Sequence, residues 1–168
     1  MAFKDAILPE FDHEMANTRK TLERVPGDKL GWTPHPKSNN MGWLAAHVAG
    51  LPGWVTMVLE NDSFNLAPAG PPPPRTQPVE STAQALETFD KNVAAARRAI
   101  ESVDDRQMLQ PWSLLAGEQT IFTMPRMAVL RSVVMNHLIH HRGQLTVYLR
   151  LNDVPVPALY GPSADEPM

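Results

Sequence analysis

Apolar residues recur along the chain at alternating steps of three and four, the spacing that places them on one face of an α-helix. Four such stripes lie at residues 8–25, 41–58, 86–103 and 130–148. Between the last two, residues 112–123 predict a short β-hairpin that turns at Gly117. Since each helix has one apolar face to bury, the pattern predicts an all-α fold class, a four-helix bundle with the hairpin as a connection.

Prolines mark the segments that lie outside these stripes. Six of the seventeen prolines fall within residues 68–78, and four more follow residue 154. We therefore expect one domain over residues 1–168, with a Pro-rich crossover at 61–80 and an extended C-terminal tail at 153–168. A Pro-rich connection of about 20 residues can span about 60 Å, whereas a helix of that length spans about 30 Å. The second and third helices can therefore run parallel.

The composition excludes several classes of protein. The chain has no cysteine, which excludes disulfide scaffolds, cysteine-ligated zinc or iron–sulfur modules and a protein thiol nucleophile. A net charge of −3 without a basic cluster argues against a nucleic-acid partner. The first residues lack the apolar run of a signal peptide, and no stretch reaches 18 apolar residues. We expect a soluble, cytoplasmic protein that does not bind membranes.

Two histidines are the first candidates for a functional site. His137 and His141 are four residues apart, so they share one face of the fourth predicted helix and lie within about 30° of the centre of its apolar stripe. A buried imidazole needs polar partners for its nitrogens, and a metal ion supplies one per ring. The spacing alone is weak evidence for a metal site, because six histidines placed at random give roughly 0.2 such pairs per sequence of this length. Without a metal, the pair would be core histidines hydrogen-bonded to neighbouring polar groups.

His47 is the third candidate ligand, beside the apolar stripe of the second predicted helix and among small residues. Three neutral imidazoles leave a coordination position of a divalent ion open, as is typical of catalytic sites. Water bound there ionises near pH 7 on zinc, and a substrate thiol binds as thiolate. Because the chain has no cysteine, any reacting sulfur would arrive with the substrate. Imidazole suits zinc, nickel, iron and copper alike, so the sequence leaves the metal open.

Two motifs resemble those of a known family. The sequence NHLIHHRGQL at 136–145 and the sequence GWLAAH at 42–47 closely resemble motifs of the DinB-like family of small helical proteins. The resemblance implies an up-down-down-up four-helix bundle and a divalent metal ion (zinc, nickel or iron) held by His47, His137 and His141. It also implies a homodimer. Because relatives in the wider superfamily transfer low-molecular-weight thiols or isomerise with a thiol cofactor, it implies a small-molecule substrate such as a low-molecular-weight thiol.

These observations favour a metal-dependent transferase or hydrolase, which activates a thiol or water for transfer, isomerisation or hydrolysis on a small molecule. The alternative is a non-catalytic metal-binding helical dimerisation module. Gln144 lies three residues after His141, where it can orient that ligand, or it is an ordinary buried amide. Arg142 either binds an anionic substrate group or stabilises the helix end. His140 falls on the flank of the apolar stripe, and the pattern assigns it no role.

Overall fold

The computed structural model describes residues 2–167, of which helices and strands form the greater part. The chain is 57% helical and 10% strand. The helices are α1 (Phe3–Glu23), α2 (Met41–Gly50), α3 (Trp54–Glu60), α4 (Thr82–Ser102), α5 (Asp105–Met108), α6 (Arg126–Val129) and α7 (Asn136–Leu151). The strands are β1 (Ser63–Asn65), β2 (Pro111–Ala116) and β3 (Gln119–Pro125).

A three-stranded sheet, in the order β1-β2-β3, overturns the predicted fold class. The all-α class, and with it the four-helix bundle, is wrong, since the protein combines helices with a mixed sheet in which β1 is parallel and β3 antiparallel to β2. The hairpin itself was predicted and is confirmed, with Gly117 at a φ of 63° in its turn. The sequence pattern missed β1, because a three-residue strand is too short to show an alternation of apolar and polar positions.

Asn65 shows how β1 is fixed to the hairpin. Its side-chain amide donates to the carbonyl oxygen of Gly117 at 2.9 Å, and its Oδ1 accepts from the backbone N–H of Gly117 at 2.9 Å. These bonds join residues 52 apart in the chain. The first residues of the 61–80 segment therefore belong to a sheet, and the remainder, from Leu66 to Glu80, runs without regular structure to α4.

The second apolar stripe is divided at Pro52. Asn40 caps the start of α2, because its Oδ1 accepts from the backbone N–H of Trp43 at 2.8 Å. Proline lacks a backbone N–H, and a 3₁₀ turn at Leu51–Gly53 separates α2 from α3. His47 thus lies in the last turn of α2, just before the break.

Contacts at their ends fix the relative directions of the helices. The carbonyl of Gly42 accepts from the N–H of Val79, close to the start of α4, and the carbonyl of Ala49 accepts from the Asn92 side chain. The helices α2 and α4 therefore run parallel. The helix α7 runs antiparallel to α2, because Tyr148 near its end contacts Asn39 at the start of α2. This arrangement brings the last turn of α2 to the first turns of α7.

The stretch Met41–Glu60 is apolar and long enough to span a membrane by length and composition, with a mean hydropathy of 1.3. Half of that window is buried inside the protein, and the core helix of a soluble protein passes the same test. Its buried side chains pack in the common core with those of α1, α4 and α7.

Candidate metal centre

The segment that presents the histidine pair is a composite helix. After α6, residues Leu130–Met135 form a π turn, and α7 then begins at Asn136. A π turn adds one residue per turn and shifts the face that the following residues present. His137 is the second residue of α7, so this turn sets its direction toward α2. The continuous apolar stripe at 130–148 predicted one regular α-helix and gave no indication of the π turn.

All three predicted ligands come together between α2 and α7. The Nε2 atoms of His47 and His137 are 3.2 Å apart. The imidazole of His141 has its ring centre 4.6 Å from each of the other two. Each ring offers one nitrogen to a common point, and these three atoms lie within 4.8 Å of one another. The structure thus places the three rings in one cluster.

Burial holds the three imidazoles in their neutral form. The pKa of His47 is lowered from 6.5 to about 4, first by burial and then by the neighbouring His141 and His137. Burial also lowers the pKa of His137 and of His141. The neighbouring histidines lower the pKa of His137 further, whereas the hydrogen bond from His141 to Gln144 opposes the lowering of the His141 pKa. Metal binding requires neutral imidazole, so these rings need release no proton at pH 7 before they coordinate an ion.

Two tryptophans cover the cluster. The indole of Trp43 stacks on His47, with a centroid distance of 4.9 Å and an interplanar angle of 15°. Trp54 meets His137 edge-on at 5.2 Å and His47 at 6.1 Å. These apolar rings remove water from one side of the cluster. Such a setting strengthens the interaction of the donor atoms with a cation.

Gln144 orients one of the histidines. Its Oε1 lies 2.7 Å from Nδ1 of His141, one turn earlier on α7. With the proton on Nδ1 donated to this oxygen, the lone pair of Nε2 is left for a metal. The amide is exposed rather than buried, so the orienting role inferred for it from the sequence agrees with its position and the core-amide alternative does not.

The donor set fits a divalent ion. Two nitrogen ligands bound at about 2.0–2.1 Å to a tetrahedral zinc lie about 3.3 Å apart, and the His47–His137 distance of 3.2 Å matches this. Within residues 2–167, no carboxylate joins the three imidazoles in the cluster. His47, His137 and His141 would therefore hold the ion with a position open for water or substrate.

Arg142 and His140 lie apart from the cluster. Arg142 is buried on another face of α7, where it pairs with Glu14 and bonds to Thr18 of α1. It is therefore a structural residue, and the interpretation as a substrate-binding group is wrong. His140 is exposed, with its ring 4.9 Å from that of His141, and adds no donor to the cluster.

A cavity of about 630 Å³ adjoins the cluster at His137. Residues 72–76 of the Pro-rich segment form part of its wall, together with Trp54 and the buried Trp112. The proline pattern predicted this segment only as a connection and gave no indication of its contribution to a cavity. One signal was present in the sequence, since Arg75 is the single charged residue between positions 66 and 79.

The fold combines helices with a small sheet, and its candidate site is a cluster of three histidines covered by two tryptophans. These features define a class of candidate metal-binding proteins. The family model described as DinB superfamily matches residues 10–145. The chain belongs to that superfamily, as its two histidine-containing motifs indicated.

Individual relatives agree with this assignment. The uncharacterized protein YrdA of Bacillus subtilis (strain 168) is 27% identical over 163 residues, which cover 96% of this chain and 90% of that protein. A DinB-like protein from Bacillus cereus ATCC 10987 superposes with a TM-score of 0.72 at 21% identity, covering 95% of this chain and 98% of the other. The DinB-like protein YjoA of B. subtilis gives a TM-score of 0.68 at 17% identity, covering 92% and 96%. The solved structures share the fold.

Proposed function

We propose that the protein is a metal-dependent enzyme in which His47, His137 and His141 hold a divalent ion, and that this ion activates a thiol or water for a reaction on a small molecule. The convergence of three imidazoles, with no fourth protein ligand among residues 2–167, is the observation that supports it. The reaction is a transfer, an isomerisation or a hydrolysis. The ion is zinc, nickel or iron, since each of these accepts imidazole.

The bound metal would supply a Lewis acid that lowers the pKa of water or thiol at its open position. The residues of the chain prepare that position. Gln144 holds the Nδ1 proton of His141, and Trp54 and Trp43 exclude water on the side that they cover. The chain contains no cysteine, so a thiol substrate meets no competing protein thiol there.

Metal analysis of the protein purified without a histidine tag tests the ligand set. We expect about one ion per chain in the wild type and loss of that ion in H137A, because two imidazoles hold a divalent ion much more weakly than three. The matched control is H140A, which removes an exposed imidazole on the same helix and should retain the ion. Full metal content in H137A with native circular dichroism would refute the assignment.

The catalytic part of the proposal has its own test. X-ray absorption of the metal-loaded protein should show three imidazoles and a water or exogenous anion. A fourth protein ligand would instead favour a non-catalytic metal-binding module. A screen of thiol-dependent transfer and isomerisation on small molecules then searches for the reaction. We also propose that the protein acts as a homodimer in the cytoplasm, which sedimentation and cell fractionation would test.

A further inference from the structure

The cavity beside His137 is built as a binding site for a small molecule. Its volume of about 630 Å³ lies within the usual range of ligand pockets, about 300–1,000 Å³. The sheet contributes Phe64 and Leu114, α3 contributes Trp54, and the π turn contributes Val133. The wall is therefore mainly apolar and aromatic. His137 belongs to both the cavity and the histidine cluster, so the two are continuous.

Arg75 introduces a positive charge into this wall. Arg75 is the one charged residue among those that line the cavity, and none of the lining residues is a carboxylate. Nine ion pairs join side chains within residues 2–167, and Arg75 takes part in none of them. An arginine that borders an apolar cavity without an acidic partner is suited to bind the anionic group of a ligand.

Trp112 adds an independent observation. It lines the same cavity, it is 2% exposed, and its indole Nε1 has no hydrogen-bond partner among the described residues. Buried polar atoms are nearly always paired, so an unpaired one in a cavity wall calls for an explanation. Nε1 itself is enclosed by the protein, so an acceptor oxygen on a bound molecule supplies the missing partner when the indole turns toward the cavity.

We propose that this cavity binds a small organic acid with an apolar body. The carboxylate pairs with Arg75, and the body lies against Trp54, Phe64 and Leu114. The indole of Trp112 turns on binding so that Nε1 donates to an oxygen of the ligand. The far end of the ligand approaches His137. The substrate of the proposed enzyme would then be an apolar carboxylic acid, and this last statement alone rests on the proposed function.

The experiment compares two probes, 4-phenylbutyrate and its neutral analogue 4-phenylbutan-1-ol. Calorimetric titrations are carried out on the protein as purified and after treatment with a chelator. We expect the acid to bind in both states and more tightly than the alcohol. The variant R75Q should weaken binding of the acid by about threefold to fivefold, as loss of an exposed ion pair does, and should leave the alcohol unaffected. R75K should retain the charge and most of the affinity.

A matched control and a second signal locate the binding. Arg98 is exposed on α4 and does not line the cavity, so R98Q should bind the acid like the wild type. In ¹H–¹⁵N spectra, the indole signal that disappears in W112F should shift on addition of the acid. Equal affinity of wild type and R75Q for the acid, an unshifted Trp112 signal, or no binding at all would overturn the proposal.

The binding experiment can succeed or fail independently of the test of the proposed function. Binding of the acid after chelation that depends on Arg75 supports the cavity proposal even if the histidine cluster holds no metal. A protein that holds its metal through His137 but does not bind the acid contradicts the cavity proposal alone.

Discussion

His141 and Arg142 are neighbours on α7, yet they lie on different faces of that helix and meet different surroundings. The side chain of Arg142 is almost fully buried, and its Nη2 lies 2.7 Å from Oε2 of Glu14. Its Nη1 donates to the carbonyl oxygen of Glu14 at 3.0 Å and to Oγ1 of Thr18 at 3.2 Å. The hydroxyl of Tyr160 completes this group with a 2.6 Å bond to Oε2 of Glu14.

The face of α7 that carries His137 and His141 has few hydrogen-bond partners. The hydrogen bonds of its three imidazoles within residues 2–167 are those between His47 and His137 and between His141 and Gln144. No opposite charge compensates them, and burial keeps them neutral. A buried charge with a full set of partners stabilises one structure, whereas converging donors with few partners are suited to an ion. The same helix therefore has a structural face and a chemical face.

Removal of Arg142 is the largest expected effect and probes the structural face. The variant R142A leaves Glu14 buried without its charge partner, which we expect to lower the free energy of unfolding by about 3–5 kcal/mol. Denaturant titration by circular dichroism measures the change. The double variant E14M/R142M should regain much of this loss and keep its metal, because it removes both charges together. A loss below about 1 kcal/mol in R142A would show that the pair is not structural.

Gln144 provides a finer test of the chemical face. The variant Q144A removes the acceptor that holds His141 in one tautomer, and we expect a loss of metal affinity of about 10- to 100-fold. Competition with a chromophoric chelator measures the affinity. Gln144 is exposed, so the thermal midpoint of the metal-free protein should change little. The variant Q144E retains an acceptor oxygen and should bind the metal at least as well as the wild type. Equal weakening in Q144E would exclude the orienting role.

The pH dependence of stability tests the lowered pKa of His47. The pKa of His47 is about 4 in the folded protein against an ordinary value of 6.5. Between these values the unfolded chain binds a proton that the folded chain does not, so the free energy of unfolding decreases as pH falls from about 6.5 to about 4. Above this range the contribution is constant. Denaturation of the chelator-treated protein at several pH values should show a steeper decline for wild type than for H47Q. Identical slopes would contradict the lowered pKa.

The sequence predicted the parts of this molecule that depend on local periodicity. The apolar stripes located the long helices, and the four-residue spacing placed His137 and His141 on one face. His47 followed from its position beside the second apolar stripe, and the family motif agreed with it. The parallel pairing of β1 with β2 and the contact of Arg142 with Glu14 could not be predicted in this way. They join residues far apart in the chain, and Glu14 and Arg142 are separated by 128 positions. The spacing of neighbouring residues in the sequence does not indicate such contacts.

The π turn escaped prediction for a related reason. Residues Leu130–Met135 continue the apolar spacing of a regular helix, so the sequence pattern does not distinguish the π turn from an α-helical one. The cavity was missed because the Pro-rich run was considered only for its length. Its wall residues acquire a common surface only when the sheet and the π turn are placed beside them.

The three consecutive prolines Pro72, Pro73 and Pro74 in the cavity wall have a consequence for molecular recognition. Their rings fix φ and remove the backbone N–H groups. Such a segment has little conformational entropy left to lose when a molecule is enclosed, and it offers the ligand no main-chain donors. In the proposed binding site, discrimination at this part of the wall therefore depends on shape and on the few side chains that interrupt the proline run.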